Sequence, residues 1–241
     1  MLLAACGQKP APPELASTLK QDAVKIDPAF AGTIAGVVKF DGTAPKAQPI
    51  DMSQDPACTF GNKAESLSEA FAVKDGKLGN VFVYVKLGLP AGSFGVPQTP
   101  VVIDQKGCRY VPHVSGAMVG QTVQFLNSDP TMHNVHPDAQ NNSPFNVTQT
   151  PKGEPIERKF SKAEMMMKVS CNQHPWMRMY LNVVENPFFA VTDAVGKFEI
   201  KGLPAGEYTL VAVHEKLGEK TIRVKVEPKK AARAEFGFVS K

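Results

Sequence analysis

Long hydrophobic runs are missing from this chain. No stretch of about 18 apolar residues occurs in its 241 positions, so no membrane-spanning helix is expected. Charge is sparse as well: 21% of residues are Asp, Glu, Lys or Arg, and the net charge is only +4. The cations are scattered rather than clustered, which argues against a nucleic-acid partner. A mildly basic surface would favour an acidic one. Aromatic residues make up 8%, with a single Trp. No Gly-rich phosphate loop, Gly-x-Ser-x-Gly or His-Glu-x-x-His occurs, so the common nucleotide, serine-hydrolase and zinc-protease chemistries lack their residues. Helical periodicity is nearly absent too.

What is present is enough for a core, at 43% apolar residues, and many turn formers, 19 Gly and 20 Pro. Short runs of alternating or β-branched character recur from Thr33 to Phe40, Asn80 to Leu87, Val101 to Ile103 and Thr122 to Leu126. They continue at Lys168 to Ser170, Tyr180 to Val184, Lys197 to Ile200, Tyr208 to Val213 and Thr221 to Val226. Short strands split by turn residues predict an all-β chain of sandwiches.

The four cysteines sort into separate roles. Leu3-Ala4-Ala5-Cys6-Gly7 resembles a bacterial lipobox, with Cys6 as the lipidated residue. Only two residues precede Leu3, so the charged start and apolar stretch of an export signal are not in front of it; a misplaced start would account for this. The alternative is a chance Leu-Ala-Ala-Cys. Residues 7–30 hold Pro10, Pro12, Pro13 and Pro28 and read as a tether, with a short helix from Glu14 to Val24. This predicts a periplasmic, envelope-bound protein that meets the membrane only through its N-terminal lipid. In such an oxidising compartment Cys58 and Cys108 are candidates for a disulfide; two buried free thiols are the alternative.

The string Cys171-Asn172-Gln173-His174-Pro175-Trp176-Met177 offers a thiolate, an imidazole and a thioether within seven residues, and His133-Asn134-Val135-His136 lies upstream. Two imidazoles and a thiolate in a plane, with a weak axial thioether, make a blue-copper site. The segment from about Val101 to Glu185 resembles a cupredoxin of the plastocyanin, azurin and amicyanin family. Its Cys-x-x-His-x-x-Met loop is similar to that of amicyanin, and Gly120 to Asn127 resembles the strand before the first histidine ligand. The resemblance implies one type 1 copper held by His133, Cys171, His174 and Met177. It also implies that Asn134 braces the loop, and that Trp176 and Pro175 form a docking patch beside an exposed His174 edge.

Each assignment has a rival. His136 competes with His133, but three residues apart on a strand they face opposite ways. Met179 competes with Met177 but belongs to the following strand. His113 and His214 read as structural or surface histidines. Met165, Met166 and Met167 read as alternating core and surface on the strand leading to Cys171, with a Cu(I) docking patch as the alternative.

Beyond the loop, Phe189 to Phe198 and Gly202 to Leu210 resemble the carboxypeptidase regulatory-like domain, a transthyretin-like β-sandwich, and Gly32 to Val38 resembles its start. The expected fold is therefore a cupredoxin-like Greek-key β-sandwich (101–186) inserted into a second, transthyretin-like one (31–100 and 187–241), after a tether (1–30). An N-terminal elaboration of the cupredoxin sheet is the alternative. The expected function is one-electron transfer, without substrate turnover, to a redox partner such as a c-type cytochrome or a dehydrogenase. The alternatives are a periplasmic copper carrier and a scaffold with an idle site.

Overall fold

The computed structural model describes residues 23–62 and 65–240. The Cys6 motif and residues 14–22 of the expected tether helix lie outside them. Among the described residues are eighteen strands and one six-residue helix. The first half of the chain contributes β1 (Gly32–Asp41), α1 (Pro56–Gly61), β2 (Val73–Lys74), β3 (Lys77–Leu78) and β4 (Phe82–Leu87). Next come β5 (Val101–Gln105), β6 (Tyr110–Val111), β7 (Val114–Met118), β8 (Thr122–Asn127), β9 (His133–Pro137), β10 (Val147–Gln149), β11 (Ile156–Lys159), β12 (Glu164–Ser170) and β13 (Arg178–Val184). The chain closes with β14 (Phe189–Val191), β15 (Lys197–Leu203), β16 (Gly206–His214), β17 (Gly218–Val226) and β18 (Ala231–Val239).

Four sheets enclose two main cores. One sheet runs β15-β1-β3-β2 with β18 on the other side of β1, and it faces the sheet β14-β4-β16-β17. Ile34, Val38 and Phe40 of β1 pack there with Leu210 and Ala212 of β16 and Phe236 and Phe238 of β18. Burying each large side chain is worth about 1.5–3 kcal/mol. β1 pairs antiparallel with β15 and parallel with β18, so both ends of the described chain meet in one sheet. Gly36 is required here, because a Cβ would run into the Phe198 ring and the Ala234 carbonyl. The turn residues behave as their chemistry demands. Asp193 Oδ1 accepts the Val195 and Lys197 N–H groups at 2.9 Å, Gly196 takes φ +68°, and Tyr208 returns to the core and donates to the Pro204 carbonyl at 2.7 Å.

The second pair of sheets, β10-β9-β12-β13-β7 and β11-β8-β5-β6, encloses Ile103, Val123, Phe125, Val169, Leu181 and Val183. β4 serves both halves: Val83 and Val85 face the first core, while Phe82 faces Val114 and Val184 at the junction. The Phe82 and Phe189 rings lie where a Cβ on Gly116 would be.

Two local departures from the sequence reading have physical causes. Residues 50–62 fall in the stretch assigned to the first sandwich, yet Met52 and Cys58 pack in the second core, where Cys58 and Cys108 form a disulfide with Cα atoms 5.5 Å apart. The three consecutive methionines do not simply alternate. Register slips between Glu164 and Met167, Met166 takes φ +50°, and its N–H is held by Asn182 Oδ1 at 2.9 Å. Met167 enters the second core and Met165 packs at the junction, so they form no three-methionine surface patch. His113, read as a structural or surface histidine, is structural: its Nε2 is 2.5 Å from the buried Glu215 carboxylate.

Candidate metal centre

One end of the sheet β9-β12-β13 gathers the sulfur and imidazole groups. His133 opens β9, Cys171 directly follows β12, and Met177 directly precedes β13. The loop between is closed on itself: Met177 N–H donates to the His174 carbonyl at 2.8 Å, and Cys171 N–H to the Met177 carbonyl at 3.2 Å. One ligand atom each of His133, Cys171 and His174 lies within 4.8 Å of the others, and all three residues are buried. Cys171 Sγ is 3.7 Å from His174 Nδ1, and the two Nδ1 atoms face each other at 2.9 Å. Met177 is 1% exposed and packs in the same core as Cys171. His136 points elsewhere, its Nδ1 2.9 Å from Asn172 Oδ1. Met179 lies inside β13, and His214 packs against Phe71 and Phe238 in the first sandwich.

Two carboxylates that the sequence did not advertise complete the cluster. Asp129 Oδ2 is 2.9 Å from His133 Nε2 and also accepts Cys108 N–H at 2.8 Å, while its Oδ1 accepts Gly107 N–H at 2.7 Å. Asp55 Oδ2 is 2.9 Å from His174 Nε2 and accepts the Thr131 hydroxyl at 2.9 Å. Its Oδ1 caps α1 through Ala57 N–H at 2.8 Å. A carboxylate on Nε2 holds a proton there, so in its neutral form each ring turns the Nδ1 lone pair inward. Two such nitrogens and the Cys171 sulfur form a donor set for a cation; without one, a proton between the two Nδ1 atoms satisfies their 2.9 Å approach. Bonds of about 2.0–2.3 Å to a common metal would place ligand atoms roughly 3.3–3.8 Å apart. The sulfur–nitrogen separation fits, and the two rings must part by some tenths of an ångström. Cys58 and Cys108 are spent in their disulfide and cannot serve as ligands.

The electrostatics agree with this donor set. Burial opposes ionisation of Cys171, but the His133 side chain and the N–H groups of Asn134, His174 and Gln173 outweigh it and bring the thiol down to about 6. Burial likewise disfavours the charged form of His133, yet Asp129 and Cys171 raise its pKa. Asp129 and Asp55 are held below the carboxylate range, their desolvation overcome by the histidines and their other donors.

Two expected roles take a different form. Asn134 meets Cys171 Sγ through its backbone N–H at 3.2 Å, while its side-chain amide donates to Asn146 Oδ1 at 2.9 Å rather than to the ligand loop. Tyr110, absent from the sequence reading, ties the strands on either side of the thiol. Its hydroxyl contacts the carbonyls of Asn134 and Ser170. The His174 edge is not exposed: the residue is 4% exposed, with Asp55 over Nε2 and the Trp176 ring centroid 5.0 Å away. Pro175 is exposed and Trp176 half-buried, with its Nε1–H donating to the Cys108 carbonyl at 3.1 Å.

No protein-family model and no curated protein matches the chain. Solved structures do. A copper-containing nitrite reductase from Thermus scotoductus SA-01 is similar over 42% of this chain and 26% of its own, at 25% identity and a TM-score of 0.35. A purple cupredoxin from Nitrosopumilus maritimus is similar over 34% of this chain and 98% of its own, at 24% identity and a TM-score of 0.30. The Cu(I) form of an amicyanin variant matches over 42% of this chain and 97% of its own, at 21% identity and a TM-score of 0.32. The match spans about a quarter of the nitrite reductase's length.

Proposed function

We propose that this chain is a type 1 copper protein that carries single electrons in a bacterial cell envelope. One observation carries the reading: two buried imidazoles, each backed by a carboxylate on Nε2, gather with the buried sulfur of Cys171, whose pKa is lowered to about 6. His133, Cys171 and His174 would hold the metal, with the buried Met177 as a fourth, thioether donor. Copper bound there supplies a one-electron couple between Cu(II) and Cu(I). Asp129 and Asp55 keep both rings in the Nε2–H tautomer, and the Asn134 N–H steadies the thiolate. A four-donor set of this kind would leave no position for a substrate, so our reading is an electron carrier rather than an enzyme.

The Cys58–Cys108 disulfide supports an oxidising compartment, and we extend this to a periplasmic protein lipidated at Cys6. The pairing of β1 with β15 and β18, with the 101–184 strands between them in sequence, supports an inserted copper sandwich. The Asp193–Gly196 turn and the Tyr208–Pro204 contact support a regulatory-like sandwich around it. The test is reconstitution with Cu(II). An intense thiolate-to-copper absorption that is absent in Cys171→Ser is expected; copper uptake without that band would reject type 1 copper.

A further inference from the structure

We propose that electrons pass between this copper site and its partner through Trp176, from an acidic protein surface docked in the crevice between the two sandwiches. This inference rests on the copper reading above. The His174 ring is shut off from solvent by Asp55, which α1 and Thr131 hold in place. Trp176 is the aromatic ring that packs on His174, at 5.0 Å between centroids, and it is half-buried rather than sealed. Its other side opens on a crevice of about 470 Å3, whose wall also includes Met177.

The charge of that crevice decides the occupant. Lys46, Arg109, Arg178 and Lys216 line it, against two carboxylates, Asp51 and Glu69. The cations are weakly satisfied. Arg109 reaches Glu69 only at 3.7 Å and leaves its buried Nε without an acceptor, and Lys216 reaches Glu215 only at 3.7 Å. Among the described residues no carboxylate forms an ion pair with Arg178 or Lys46. A cleft lined mainly by one sign of charge focuses its field and steers oppositely charged molecules to it. Concave shape, unspent guanidinium donors and an aromatic floor touching a metal-ligand ring fit a protruding carboxylate-bearing loop of a redox protein. The step itself is a bare electron transfer, with one centre oxidised, the other reduced, and no bond or proton moved.

The test uses copper-loaded full-length protein in the Cu(I) state. Its oxidation is followed by stopped flow with an anionic probe, hexacyanoferrate(III), and a cationic one, tris(phenanthroline)cobalt(III). The anion should react about tenfold more slowly after the salt is raised. At low salt Arg178→Glu combined with Lys216→Glu should slow the anion by a similar factor and speed the cation. Both substitutions lie on exposed positions, and retained thiolate-to-copper absorption shows an intact site. Trp176→Leu should slow both probes. If the double variant keeps its absorption band and its rates stay within twofold of the parent for both probes, the crevice is not the port and the proposal falls. If the parent shows no band at all, the copper reading itself fails, an outcome visible before any kinetics.

Discussion

At the scale of the residue, the cluster is organised by what stands behind the ligands. Replacing Asp129 or Asp55 by Asn keeps the shape but withdraws the negative charge from an imidazole. Each variant should bind copper about 10–100-fold more weakly by competition with a chelator. Each should also show a raised reduction potential in a potentiometric titration, because the removed charge favoured Cu(II) over Cu(I). The thiol gives a second test. With the Cys171 pKa depressed to about 6, its ionised form adds stability above the ordinary thiol value of about 8.5. That contribution disappears as pH falls through the depressed value. The apo-protein should show an ultraviolet thiolate step centred near pH 6 that Cys171→Ala removes. The sulfur and imidazole donors were legible in the sequence because three of them crowd into one loop. Asp55, Asp129 and Tyr110 were not, since ordinary turn and strand residues acquire their role only through contacts across the fold. Sealing of the His174 edge was illegible for the same reason: the residue that covers it lies 119 positions away.

At the scale of the element, alternation revealed the strands whose two faces differ. β1, β4, β8, β16 and β17 were all readable this way. β18 was not, because Ala, Gly and charged residues dilute the Phe236 and Phe238 stripe. β7, with Gly116 at its centre, holds too little side-chain pattern to announce a strand. The same glycine logic sets a prediction in β1. Gly36→Ala would push a methyl against the Phe198 ring and the Ala234 carbonyl, and should cost about 1–3 kcal/mol in the denaturant midpoint. The short helix α1 depends on a covalent tie. The Cys58–Cys108 bridge closes a loop with a sequence separation of 50, for which loop entropy gives about 4 kcal/mol. Cys58→Ser with Cys108→Ser should lower unfolding stability by about that amount. It should also expose His174, read as faster reaction with an imidazole-modifying reagent.

At the scale of the whole molecule, the two sandwiches are pinned by His113, in the second, against Glu215, in the turn after β16 of the first. Burial raises the Glu215 pKa, but the His113 contact and the other partners outweigh it and leave the carboxyl below its ordinary range. The pair therefore adds stability above that range and loses it as pH falls through the depressed value. His113→Ala removes the nearest partner of a carboxylate that is 2% exposed, leaving it Tyr180 and Lys216, and should cost about 1–3 kcal/mol at neutral pH, with a smaller deficit in acid, measured by denaturant unfolding.

The parallel pairing of β1 with β18 has a further consequence for how the molecule comes into being. The chain presents β1 early, yet its long parallel neighbour β18 comes only after β2 to β17. Strands Val101 to Val184 can collapse around their own core in the meantime. Until β18 docks, β1 keeps an unpaired edge, the kind of surface on which aggregation starts. A chaperone that shields extended, apolar edges would thus have its window on this protein before β18 docks and none afterwards.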